Sequence, residues 1–578
     1  MTFRYDMDQG LQNDLVIDVA IVGGGVSGLY SGWRLRAGDF ADSTALPARP
    51  VTHVFELSDR LGGRLLTAFL DGMPHVRCEL GGMRYIKATP TADNPLPGQQ
   101  MVDRLGAKLG LTSIPFPMGD GNTLYYLRRN RCRVKDIQAG FPLPYRLEAW
   151  EQRLSDDELF TRIINDVFKR AGEDQPRNRT EWNALKSRLT FDGRPAYALG
   201  FWNVLSSYLC SEGYSYLQDV NGYDSNTMNW NAAEAMQAQL GDFGADTTYC
   251  TFQEGFDGLA HGTAQLFCAA GGKIWADNGL VTFGREARDG ESWLKLQFFN
   301  KAQGRYWNVY ARKLILAMPR RSLELLDQTN FFFNDRGRPR DERIAPYIQS
   351  AIIQPAFKLY LGYERPWWRE FTPSFSSGRT ITDMPTRQVF YFGTEGEQPG
   401  GEPGNTNSLL MASYTDEWAS DFWRPLEADK PWFPHGQALA LRQAVMASSA
   451  ARRATGFTPT DAPRLLVEQS QKQIREIHGN QVAIPDPYVS AFYDWGQDPY
   501  GGGYHAWAGG YQVTPPWIVA KRMRRPLEEA PIHICGEAYS DQQAWVEGAL
   551  CTAELMLQEH FGMKHPTDWL PADYYLGW

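Results

Sequence analysis

Along the chain, short β-branched apolar runs alternate with glycine-rich or polar connections, and stretches of helical periodicity lie between them. Leu15 to Val22 (LVIDVAIV) is almost uniformly apolar, the pattern of a strand buried on both faces. A helix is predicted next, around Leu29 to Leu35, and then a second strand from Val51 to Leu57. Met101 to Leu109 has helical periodicity, and about 146–241 is dominated by helix-like segments such as Asp156 to Arg170 and Ala196 to Leu209, without strand alternation. Beyond it the pattern predicts a helix at Ala260 to Ala269. Strands follow at Lys273 to Trp275, Leu280 to Phe283, Ser292 to Phe299 and Val309 to Leu316. Gln354 to Leu361 reads as a strand that is apolar apart from Lys358, Leu410 to Tyr414 as another, and Ile532 to Glu537 as the last, ending in Gly-Glu before a long helix reaching about Phe561. Strand, helix and strand at the start, with mixed strands later, make the expected class α/β (α+β overall).

The connection after the first strand carries the first chemical signal. Gly23, Gly25 and Gly28 fit G-x-G-x-x-G, with Ser27 between them. The first glycine permits the tight turn, the second lets a pyrophosphate approach the backbone, and the third lets helix pack on strand. The helix N-terminus then offers N–H groups and a positive dipole end to the phosphates. Glu56, at the end of the second strand, can accept both ribose hydroxyls. It lies beyond the usual spacing of about 20 residues because the polar stretch Asp39 to Pro50 intervenes.

Composition narrows the alternatives. The 578 residues suffice for two or three domains, and a net charge of −9 argues against nucleic acid as a partner. The basic runs Arg128 to Lys135 and Lys521 to Arg525 are expected to be solvated faces. Seven scattered cysteines without C-x-x-C or zinc spacing read as buried thiols in a reducing compartment, and no metal is expected. Met1 to Asp14 lacks the character of a secretory signal, and no apolar run approaches the ~18 residues that a membrane span needs. The expected location is cytoplasmic, with no membrane partner.

Further motifs carry a resemblance. Arg60-Leu61-Gly62-Gly63-Arg64 resembles the R-x-G-G-R segment of the flavin amine oxidase superfamily, closest to its FAD-dependent L-amino acid oxidases. The resemblance implies FAD, with Arg64 beside the pyrophosphate. Gly81-Gly82-Met83-Arg84 is similar to the segment whose glycines touch the flavin and whose arginine holds a substrate α-carboxylate. Arginine's planar fork suits that carboxylate. Leu280 falls where relatives approach the adenine, and Lys358 where they hold a water near flavin N5; the bland alternative is an edge strand with Lys358 in solvent. Tyr414 matches a second carboxylate ligand. Ala491 to Trp507, with Trp495, resembles the segment beside the flavin. It lacks the cysteine to which monoamine oxidases attach FAD, so FAD is expected to be non-covalent. Gly536-Glu537, with Ala544-Trp545-Val546 after it, resembles the closing signature: Glu537 near the ribityl chain and phosphate, the Ala544 carbonyl on the substrate amine, Trp545 over the flavin.

The resemblance implies a Rossmann-like FAD-binding domain with a mixed-sheet substrate domain and a helical insertion. It divides the chain into FAD-binding parts 1–95, 245–325 and 506–578, substrate parts 96–145 and 326–505, and the insertion 146–244. It implies an L-amino acid oxidase that uses O2 and releases 2-oxo acid, ammonia and H2O2, assembled as a homodimer or higher homo-oligomer. An amino acid 2-monooxygenase, an amine or polyamine oxidase and a non-catalytic flavin-binding protein stay open as alternatives. The preferred side chain is open too: Glu212, Asp219 and Asp224 favour a basic substrate, Trp230 and nearby tyrosines an aromatic one.

Overall fold

The structure is a computed structural model that describes residues 4–8, 13–38, 40–41, 46–243, 247–339, 342–371, 378–447, 459–479, 483–513 and 519–577. Strand β1 (Leu15–Val22) runs parallel to β2 (Thr52–Phe55) on one side and to Arg305–Leu316 on the other. Lys273–Trp275 extends this sheet beyond β2, and Ile532–Ile534 pairs with the end of Arg305–Leu316, both in parallel register. Helix α1 (Val26–Ala37) packs on one face with Gly258–Ala269 and Val546–Phe561, burying Leu29, Tyr30, Phe267 and Leu550. Phe55, Phe298, Leu316 and Trp507 fill the opposite face. Cover on both faces explains the unbroken apolar run of β1. The first half of Arg305–Leu316 leaves the parallel arrangement and forms an antiparallel meander with Glu291–Asn300 and Asn278–Arg288.

A second seven-stranded sheet is antiparallel except where Gly378–Thr382 meets Leu124–Leu127. Its strand Ala356–Tyr363 lies between Ser408–Asp416 and Val489–Asp494, and Lys358 stands opposite Tyr414 in the register. Lys358 is therefore interior and buried, 3% exposed, and the edge-strand alternative falls.

Between these sheets in sequence, the helices Asp156–Ala171, Arg179–Lys186 and Ser211–Asn221 share a core that includes Phe160, Ile164, Phe168 and Leu217. Ser155 and Glu158 form a capping box at the start of Asp156–Ala171, and Gly172 ends it with φ 71°. The sequence misplaced some elements here. The helix expected from Ala196 to Leu209 is broken into a 3-10 turn, Ala196–Ala198, and a short helix, Phe201–Ser206. Asn229 packs so closely on Gly200 that a Cβ there would meet its Oδ1 at 1.7 Å. A small hairpin, Thr190–Phe191 with Arg194–Pro195, also lies in the region expected to lack strands. Arg524, expected on a solvated face, is buried and paired with Glu559 at 2.8 Å.

Candidate active site

Two cavities meet at the C-terminal edge of the parallel sheet, where α/β folds bind ligands. The smaller, about 400 Å³, follows the glycine turn. Gly23 has φ 114°, and a Cβ on it would lie 2.3 Å from Ala317 O; on Gly28 it would lie 2.0 Å from Gly23 O. Both positions therefore exclude a side chain, and Gly28 packs helix on strand without lining the cavity. Gly25 caps α1 with no side-chain hydrogen bond, so the first turn at Val26 and Ser27 presents backbone N–H groups to the space. Val546 begins a second helix on the same cavity, after Trp545 as an equally bare N-cap. Glu56 lines it with a carboxylate held by the N–H groups of Gly24 (2.7 Å) and Ser58 (2.9 Å). Leu280, Arg64, Gly536 and Glu537 also line it.

Two bare helix ends, a backbone cradle closed to side chains and a carboxylate at the second strand's end fit a dinucleotide. Arg64 forms an ion pair with Glu537 at 2.8 Å, and Glu537 also accepts from the N–H groups of His505 (2.8 Å) and Ala544 (2.7 Å). Burial alone would raise the Glu537 carboxyl; Arg64, His505 and the Ala544 N–H outweigh it and bring it to about 2. Its carboxylate is thus committed to protein donors and organises the loops that carry His505 and Ala544. Trp495 requires a correction. It lines neither cavity, and its indole donates to Leu80 O at 2.8 Å, so it supports the Gly81–Gly82 turn from behind.

The larger cavity, about 750 Å³, shares Gly82, Ala544, Trp545 and Val546 with the first. Gly81, Met83, Arg84, Lys358, Tyr414 and Trp230 line it as well. Arg84 is buried, donates to Tyr223 Oη at 3.2 Å and lies over the Tyr249 ring at 5.0 Å. Its Nε has no hydrogen-bond partner, and no carboxylate among the described residues forms an ion pair with it. Lys358 Nζ donates to Gly81 O (2.6 Å) and Glu79 O (3.0 Å), gripping the turn that precedes Arg84, and stands 4.7 Å from the Tyr414 ring. Burial pulls the Lys358 ammonium down to about 7, with Glu79 opposing and Arg84 assisting. The indole N–H of Trp230 is buried without a partner. Ala544 holds φ 68°, a backbone conformation that costs a non-glycine residue about 1–3 kcal/mol.

Of the acids considered for side-chain choice, Glu212 pairs with Arg128 at 2.8 Å, while Arg387 stands 3.2 Å from Asp224 and 3.8 Å from Asp219. None of the three lines the cavity. Tyr223 is one of the tyrosines near Trp230 that the sequence offered, whereas the wall residues Asp242 and Phe243, and Tyr249 outside the lining, escaped the sequence reading. They belong to no motif, and only the fold brings them to Arg84 and Trp545. His505 was visible as a neighbour of glycines, but its bond to Glu537 was not.

Fold and site together define a dinucleotide-binding oxidoreductase with a separate, partly apolar substrate chamber. The chain belongs to the flavin containing amine oxidoreductase family, whose model matches residues 26–555, and its cofactor is FAD. It is 25% identical to aplysianin-A of Aplysia kurodai over 95% of this chain and 91% of that protein. It is 22% identical to achacin of Lissachatina fulica over 96% and 94% of the two chains. L-amino-acid oxidase 4 of Hebeloma cylindrosporum is 23% identical over 93% of this chain and 80% of that one. Among solved structures, putrescine oxidase bound to putrescine superposes with a TM-score of 0.56 at 17% identity, covering 94% and 99% of the chains.

Proposed function

We propose that this FAD enzyme is an L-amino acid oxidase, converting an L-α-amino acid to 2-oxo acid and ammonia with O2 reduced to H2O2. The observation that carries the reading is Arg84: a buried guanidinium on the cavity wall that pairs with no carboxylate among the described residues. An unpaired buried charge is costly, so the site calls for an anion from outside. The substrate carboxylate meets the Arg84 fork, with the Tyr414 hydroxyl beside it. The Ala544 carbonyl receives the amine, and Trp545 closes the wall shared by the two cavities. FAD, bound in the smaller cavity lined by Gly23, Gly25, Glu56 and Arg64, would supply the two-electron chemistry of hydride acceptance from Cα and reduction of O2. The protein's contribution is orientation, and non-covalent FAD held by Gly23, Gly25, Ser27, Glu56 and Arg64 belongs to the same reading. Lys358 holds a water at the Gly81–Gly82 turn. A polyamine has no use for Arg84, which sets this reading above a putrescine-oxidase-like activity; the shared fold decides nothing there. The cytoplasmic location and homo-oligomeric state are further parts of the proposal, tested by cell fractionation and light scattering.

Hydrogen bonds to a charged group are worth roughly 1.5–3 kcal/mol each. Arg84→Ala is expected to lower kcat/KM by about two orders of magnitude or more, ~2.7 kcal/mol, with FAD content near normal. Arg84→Lys should not rescue it, because the fork is lost. The decarboxylated amine of the best substrate should be almost inert with the parent enzyme. Oxidation of that amine as fast as its amino acid would remove Arg84 as the anchor and the assignment with it. A dominant amide product would point to the 2-monooxygenase.

A further inference from the structure

The helical region ends in an irregularity that points into the larger cavity. After the helix Ala232–Gln237 the chain widens into a π turn, Ala238–Asp242, closed by a bond from the Phe243 N–H to Ala238 O at 3.1 Å. Such single turns are rare and are frequently found at functional sites. This one carries Asp242 to the wall, where its Oδ2 accepts the indole N–H of Trp545 at 3.0 Å. The main-chain oxygen of the same residue accepts Tyr249 Oη at 2.6 Å. The Tyr249 ring lies nearly parallel to Trp545, 13° between planes with centroids 6.3 Å apart, and Phe243 packs on the indole at 6.1 Å. Asp242 therefore holds Trp545 with its side chain and the neighbouring aromatic with its backbone. Trp545 has no comparable anchor in its own segment, because it N-caps its helix without a side-chain cap and follows Ala544 at φ 68°.

We propose that Asp242 is a positioning residue that fixes the Trp545 indole where the two cavities meet, so that the helical region sets the wall facing flavin and substrate. The kinetic consequence rests on the function proposed above; the indole contact does not. The groups facing Asp242 come from three elements: Arg179 and Lys186 from the helix Arg179–Lys186, Asp541 and Trp545 from the closing segment, and Tyr249 from its strand. Burial raises the Asp242 carboxyl to about 6, with Arg179 and the indole opposing and Asp541 adding to it. The acceptor is thus a carboxylate above about pH 6 and an acid below it.

The test uses the holoenzyme labelled with 15N-tryptophan, the Trp545 indole signal being assigned through Trp545→Phe. In the parent this signal should be downfield, protected from exchange, and should move with a midpoint near pH 6. Asp242→Asn keeps an acceptor oxygen, so protection should persist while the pH-dependent movement disappears. Asp242→Leu should abolish protection and lower kcat/KM about tenfold, with the Asn variant within about threefold of the parent. An indole signal unchanged in Asp242→Leu, or a parent signal that ignores pH between 5 and 7, would overturn the proposal. If Asp242→Leu does not fold, the parent and Asn titrations still decide it. A parent that oxidises no amino acid would sink the proposed function, while the indole signals would still report on Asp242.

Discussion

Arg64 and Arg84 border adjoining cavities, carry the same charge and are answered in opposite ways. Arg64 meets Glu537 at 2.8 Å inside a network in which the same carboxylate also accepts the N–H groups of His505 and Ala544. Among the described residues Arg84 meets a tyrosine hydroxyl and aromatic faces and no carboxylate. The first arrangement is balanced within the protein, which fixes Arg64 in place on the wall of the cofactor cavity. The second is incomplete until an anion enters, which marks it as a place of binding. The cradle differs from the chamber in material as well. The glycine turn at the heart of the first is backbone from one stretch of sequence, joined by Leu280, Glu537 and Val546 from distant segments, whereas side chains from at least five distant segments make the second.

Breaking the completed network should have the largest effect. Glu537→Gln leaves Arg64 without its partner, and breaking a buried ion pair costs about 3–5 kcal/mol. Denaturant unfolding of the apoprotein and the FAD dissociation constant should both register the loss. Glu537 is held at about 2 against an ordinary 4.5, so its contribution to stability is present above about pH 4.5 and is lost as pH falls toward 2. The Gln variant should lack that part of the acid dependence. Equal stability of parent and variant across this range would mean that the cradle's network is idle.

A smaller effect is expected at Lys358, which lines the chamber and forms no ion pair among the described residues. Lys358→Met should retain FAD but slow O2 consumption by the reduced enzyme about tenfold, because a cation stabilises developing negative charge. Lys358 titrates at about 7, so this rate should fall as pH rises through 7 in the parent and stay flat in the variant. Normal turnover by the variant, with the pH inflection retained, would reduce Lys358 to a clamp on the Gly81–Gly82 turn.

The smallest change tests the correction at Trp495. Trp495→Phe removes one hydrogen bond to Leu80 O, worth about 1 kcal/mol. Thermal stability should drop slightly while the FAD dissociation constant stays unchanged. Weakened FAD binding would return Trp495 to the cofactor wall.

By itself the sequence determined whatever is local. Gly23 and Gly28 declare their role because a turn closed by Ala317 O and Gly23 O admits no Cβ at either, and that constraint is written in residue type at fixed spacing. The apolar run of β1, the acid that ends β2 and the last helix are legible for the same reason: backbone periodicity follows neighbours in the chain. Arg84 and Lys358 stood out because a charge beside glycines or inside an apolar strand needs a reason. Tertiary structure alone decided which charges are answered. Glu537 looked like a cofactor ligand and is spent on Arg64, His505 and Ala544. Asp224 looked like a selector of basic substrates and faces Arg387. Asp242 carries no motif, yet a π turn brings it to Trp545 across 303 residues of chain. Electrostatic pairing depends on distances between segments far apart in sequence, and those distances exist only once the core has packed.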